Sequence, residues 1–259
     1  MKKAAILVVC VALCVAGSAQ AATIGVNFAN CGTNGTSFYS GTFLEPGESL
    51  GAEEQANWNN HDVPAWDAVG PLCDYDGTNY TASDPQKYID STGSTTELSV
   101  SYGFGGNTGA NNSTTSTLLG EMFSGVWQVG GSSEATATID LSNVPYATYD
   151  VIVYIVEPGG HGGAHILSAT DGTTTYYIDA TDGSAALAES TATSEGDVVG
   201  EANYVTFSDL SGDATITVGN NGTAWKGGVA GFQVVPEPAT MVLLGLGGVG
   251  VLLRRRRRA

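Results

Sequence analysis

Arginine is missing from the long middle of this 259-residue chain, and lysine nearly so. Between Ala22 and Val235 only Lys87 and Lys226 are basic, against 25 carboxylates, leaving a formal charge of −23. Such a surface repels DNA, RNA and anionic lipid heads, so nucleic-acid binding is excluded. It can attract divalent metal or cationic partners; the plainer reading is a soluble or salt-adapted surface. Histidine is scarce too: three residues in turn-rich stretches define no catalytic triad, and no G-x-S-x-G nucleophile elbow occurs. The carboxylates are numerous, yet none stands in the context of a glycosidase pair. An enzyme is not expected, and an acidic polysaccharide hydrolase is the least favoured reading. A 20–50-residue repeat is absent, which argues against solenoids and propellers. Helical spacing of apolar residues is nearly absent as well.

The two ends carry the long apolar runs. Lys2 and Lys3 precede an apolar stretch from Ala4 to Gly17, and Ala19-Gln20-Ala21 supplies small residues where a signal peptidase reads. Residues 1–21 therefore read as a signal peptide cleaved after Ala21, rather than an uncleaved anchor, because the run is short and ends in small residues. A lipoprotein is excluded because Leu13, not a small residue, precedes Cys14. At the other end Ala239–Leu253 is apolar and uncharged, and Arg254, Arg255, Arg256, Arg257 and Arg258 follow directly. Fifteen helical residues span about 22 Å, short of the ~30 Å hydrocarbon core but workable with snorkelling and local thinning. The arginines stay on the cytoplasmic side and act as a stop-transfer block, leaving the body outside.

What remains, residues 22–235, reads as one domain. Its runs alternate with period two or are β-branched: Thr23–Phe28, Glu97–Tyr102, Ala135–Leu141, Tyr149–Val156, Thr174–Ile178, Tyr204–Phe207, Ala214–Val218 and Val229–Val235. Gly-rich turn signals divide them, which predicts an all-β fold, a single antiparallel β-sandwich or jelly roll. Ala214-Thr215-Ile216-Thr217-Val218 puts apolar groups on one face and threonines on the other. Val151–Val156 is continuously apolar and belongs in the middle of a sheet. Pro145, in the link Ser142–Thr148, suits a hairpin connection. Gly103–Thr117 and Ala180–Gly200 read as loops. Cys31 and Cys73 form an even pair in an oxidising compartment, and one disulfide between them is expected. It would close about 40 residues, contributing about 3–4 kcal/mol by chain entropy. Two cysteines without paired histidines make a poor zinc site.

Val235-Pro236-Glu237-Pro238-Ala239-Thr240, the apolar run and the arginines together resemble the PEP-CTERM sorting signal. Pro236, Glu237 and Pro238 would be the sorting motif, the whole signal occupying residues 236–259. The resemblance implies processing by an exosortase, a membrane-embedded transpeptidase of bacteria that make exopolysaccharide. The two prolines keep the chain extended just outside the membrane. The body, with Ile24-Gly25-Val26-Asn27-Phe28, Gln55–Asn60, Asp90-Ser91-Thr92-Gly93 and Val229–Val235, resembles exported β-sandwich proteins of planctomycete-type bacteria, among which lectin-like modules occur.

Three constellations bear on ligands. Asn57, Trp58 and Asn59, with Trp66 and Asp67, mix indoles, amides and a carboxylate, as carbohydrate sites do; the competing reading is a buried tryptophan under an Asx-rich turn. Asp74, Asp76 and Asn79 offer calcium-type oxygens, although Gly77 comes too early and no glutamate stands at the twelfth position. A hairpin turn competes. His161 and His165, near Glu157, are spaced for a metal, but Gly162-Gly163 opposes a helical face; a loop after Pro158 is the plainer reading. No cofactor is expected beyond structural calcium. The expected partners are signal peptidase and exosortase, with extracellular polysaccharide as a candidate ligand. A purely structural surface protein without small ligand is the rival.

Overall fold

The computed structural model describes residues 22–29, 44–62, 73–75, 80–82, 87–103, 106–110, 118–123, 125–129, 136–157, 166–180, 186–220 and 227–237. In chain order the strands are β1 (Ile24–Ala29), β2 (Asn59–Asp62), β3 (Cys73–Tyr75), β4 (Tyr80–Ala82), β5 (Ser99–Gly103) and β6 (Gly106–Ala110). A short helix α1 (Leu118–Met122) precedes β7 (Gly125–Val129), β8 (Thr136–Ser142), β9 (Tyr149–Val156), β10 (Ile166–Thr170) and β11 (Thr175–Ala180). The last are β12 (Glu201–Ala202), β13 (Tyr204–Leu210), β14 (Ala214–Asn220) and β15 (Gly227–Pro236). Thr23–Pro236 forms one compact unit.

All eight runs read from alternation or β-branched composition are strands: Tyr149–Val156 is matched end to end, and the ends of the others lie within three residues of those expected. They build an all-β body of two sheets. One sheet has seven strands in the order β13-β9-β15-β1-β2, with β7 sharing the β15 edge with β1 and β6 pairing β7. The other has six, β12-β11-β10-β14-β8-β5, and β3–β4 form a separate pair. Ile139, Leu141, Ile216 and Val218 of the six-stranded sheet pack with Val26, Phe28, Val151, Val153, Phe232 and Val234 of the seven-stranded one. Each such side chain contributes about 1.5–3 kcal/mol by leaving water.

The continuous apolar run of β9 has a direct cause. Tyr149, Val151, Val153 and Ile155 face the other sheet, while Ile152, Tyr154 and Val156 face a second core with Leu44, Trp58, Met122 and Phe123. The seven-stranded sheet is thus covered on both faces, by a sheet on one side and by residues 44–58 and α1 on the other. The six-stranded sheet keeps its alternation because its outer face, including Thr136, Thr138, Thr215 and Thr217, is only partly buried or exposed.

Several expectations are corrected. The sandwich is not wholly antiparallel: β1 pairs β2 in parallel, and β11 pairs β12 in parallel. The Pro145 link is no hairpin, because β8 and β9 belong to different sheets and the chain passes from one to the other between them, Asn143, Pro145, Ala147 and Thr148 being exposed. Gly106–Ala110, inside a supposed loop, pairs β7 as a strand. The proposed signal peptide (1–21) and apolar span (239–253) lie outside the described residues, as does Cys31. Among the described residues no helix is long and apolar enough to cross a membrane.

Ala230 bulges out of the β9–β15 ladder, so that Val229 and Phe232 both point into the core on either side of the irregularity. Next to it Gly231 lies so close to β1 that a Cβ would run into the Val26 carbonyl oxygen, a backbone atom that cannot swing aside. Gly231→Ala should therefore destabilise the body by about 3 kcal/mol or more, read as a lower denaturation midpoint at unchanged m-value.

Candidate functional site

The tryptophan–amide segment is where sequence pointed to a ligand. Trp58 is 4 % exposed; its indole N–H donates to the Gln55 carbonyl at 3.2 Å, and its ring meets Tyr154 edge-on at 6.2 Å. A sugar has no free face of this ring to stack on. Asn59 Nδ2 donates to the Gly25 and Ile89 carbonyls, both at 2.8 Å, while its Oδ1 accepts from the Ile89 N–H at 2.8 Å. Asn57, at φ 57°, donates to the Ser91 carbonyl at 2.9 Å. The amides that were to bond hydroxyls thus bond backbone instead, the buried-tryptophan arrangement of the two readings. Trp66, Asp67, Asp76, Asn79, His161 and His165 lie outside the described residues. Cys73 and Asp74 fall in β3, of whose side chains nothing is described, so the Cys31–Cys73 disulfide is not visible. β3 and β4 pair antiparallel from Tyr75 and Tyr80 outward, as a hairpin requires. Among the described residues no three His, Cys, Asp or Glu are grouped to hold a metal ion.

The sequence reading missed the polar residues that tie this segment down. Gln233, fully buried in β15, donates from Nε2 to the Glu53 carbonyl at 2.7 Å and to Gln55 Oε1 at 2.8 Å. Tyr154 Oη donates to Gln233 Oε1 and accepts from the Ala52 N–H at 2.6 Å. Burial pushes the Tyr154 phenol far upward, so it stays a donor. Beside it Asn60 bonds Asn27 (3.0 Å) and both backbone groups of Leu44 (3.0 and 3.2 Å). Buried His61 shares a 2.8 Å hydrogen bond with Tyr88, whose phenol burial raises to about 12. The one available signal was a glutamine inside the otherwise apolar run Val229–Val235.

Glu157 closes β9 and is 8 % exposed. Burial, then the charges of Asp179 and Glu201, raise its carboxyl to about 7.

The other end of the molecule's chemistry is the exit of β15. Val234 pairs Ile24 on one side and Val151 on the other, Val235 pairs Asp150, and Pro236 pairs Tyr149. Pro236 is buried, and Tyr149 beneath it is fixed by a 2.7 Å hydrogen bond from its hydroxyl to the Gly212 carbonyl. The first residue of the tripeptide therefore belongs to the sheet, one residue beyond the boundary expected from sequence.

Residues 234–258 match the PEP-CTERM protein-sorting motif. The match supports an exported, exosortase-processed, surface-associated protein and covers the tail alone. No curated protein and no solved structure matches the chain.

Tyr154→Phe removes one donor and one acceptor from a buried set, and should cost about 1–3 kcal/mol. Amide exchange should quicken first at Ala52 and Gln55, within the segment the phenol holds.

Glu157 makes stability depend on pH in a definite direction. Folded, its carboxyl keeps its proton up to about 7; unfolded, it ionises near 4.5. Unfolding between those values releases a proton, so the contribution is full below about pH 4.5 and lost as pH rises through about 7. Melting curves of Glu157→Gln against the parent across pH 4–8 should converge at the acidic end and favour the variant above neutrality.

Proposed function

We propose that this chain is an exported envelope protein, sorted through Pro236-Glu237-Pro238 by an exosortase, whose β-sandwich body is non-catalytic and acts as a structural surface module. The observation that carries it is the motif match at residues 234–258, continuous with a strand that lies inside the body's main sheet. The role of the body rests on what its polar groups do. The candidate ligand residues Asn57, Trp58 and Asn59 are engaged within the fold, which favours the structural reading over a carbohydrate-binding one. The rival, carbohydrate-binding reading is left with Trp66 and Asp67.

Expressed in a host with an exosortase, the full chain should reach the envelope and lose its basic tail, seen by mass spectrometry of the mature termini. Glu237→Ala should retain the tail. An intact tail on the parent, or the untrimmed chain in the cytosol, refutes the sorting reading. A glycan array with residues 22–236 separates the two roles of the body: silence supports the structural module, and binding abolished by Trp66→Ala replaces it with a lectin-like one. Added calcium should leave Tm unchanged, since only a ligand of the folded state raises it.

A further inference from the structure

The sorting tripeptide begins inside the fold. Val234 is fully buried with neighbours on both edges, Val235 and Pro236 are still in register with Asp150 and Tyr149, and Pro236 is itself buried. The corner is tied from several sides. Tyr149 holds Gly212; Asp150 accepts the Asp209 N–H at 3.1 Å; and Thr23, next to Ile24, accepts from Ser91 N–H at 2.7 Å while donating to Ser91 Oγ at 3.2 Å. No spacer residue separates the last rung of the ladder from the motif, because Pro236 is both.

An enzyme that takes a peptide as an extended strand needs that peptide's own edge groups and side chains. Here they are spent on β9 and the core. We infer that the folded body withholds the front of the sorting motif, so that processing follows the opening of the last β15–β9 rungs rather than arrival at the membrane alone. Strand ends open at far lower cost than whole domains, so this corner can open while the sandwich persists. The body thereby sets the pace of its own release from the membrane. The inference rests on the sorting reading above.

Pulse–chase of the full chain in exosortase-containing cells tests it. Inserting about eight Gly/Ser residues between Val235 and Pro236 supplies a flexible spacer and should speed tail loss about fivefold or more. A second variant, Asp150→Cys/Val235→Cys, places thiols on paired residues. Its oxidised form should trim about tenfold more slowly than its reduced form, a comparison within one polypeptide that does not depend on the variant's folding yield. An unchanged rate in the insertion variant, or equal rates for oxidised and reduced forms, overturns the inference. Glu237→Ala in parent and insertion backgrounds keeps the two ideas apart. Trimming that needs Glu237 but ignores the spacer sinks only the withholding of the motif. Trimming indifferent to Glu237 sinks the sorting reading.

Discussion

β15 is the strand on which the molecule turns. It pairs β9 along its length on one edge, and on the other edge β7 and β1 in succession. Where both edges and both faces of a strand are occupied, little polar backbone is left for water, and its side chains must satisfy two cores at once. That double demand explains its composition. Val229, Phe232 and Val234 serve the sandwich interior, Ala230 and Val235 the outer core, and Gly231 lets β1 approach. The Ala230 bulge reconciles the two sets: without an extra residue, a period of two would turn one end of the strand inside out.

Around this strand the chain uses irregular segments as covers. Residues 44–58 lie over the outer face of the seven-stranded sheet, held by Gln233, Tyr154 and, from β2, Asn60. At the β13 edge Asn203, fully buried, accepts from Ala188 N–H at 2.9 Å and donates to the Ala186 carbonyl at 3.0 Å, pinning the chain that runs alongside. An exposed edge or apolar face invites pairing with other chains, and a pinned loop blunts that tendency without adding a strand.

The parts of the fold legible in sequence were those with a wet face or a wholly apolar one. Ala214–Val218 and Ala135–Leu141 announce themselves by alternation, and Val151–Val156 by its unbroken hydrophobicity. β2 was hidden because its residues, Asn59, Asn60, His61 and Asp62, are polar; three of them are buried by partners drawn from Gly25, Leu44, Tyr88 and Ile89. No local pattern encodes a partner 30 residues away. β6 was hidden for a different reason: Gly106-Asn107-Thr108-Gly109-Ala110 has the composition of a loop, and only the neighbouring β7 makes it a strand. The same limit left two readings open at the tryptophan–amide segment. Tryptophan among asparagines is ambiguous until the fold decides whether the amides face water or backbone.

Charge scarcity of one sign then accounts for the chemistry of the interior. A body with two lysines, no arginine and 25 carboxylates cannot answer buried polar needs with ion pairs, since nearly every carboxylate lacks a cation. An unpaired buried charge is far more costly than a neutral amide with partners. The interior accordingly recruits Asn27, Asn59, Asn60, Gln55, Gln233, Asn203 and the phenols of Tyr88 and Tyr154. Amides carry donor and acceptor on one side chain and can therefore join a carbonyl of one segment to an N–H of another, which an ionised carboxylate, an acceptor only, cannot do. Glu157 is the exception that fits: buried, and near Asp179 and Glu201, its carboxyl keeps its proton toward neutrality and so approaches the amide condition. An acidic composition and an amide-stitched interior thus go together, neutral groups holding the covers in place where ion pairs are scarce.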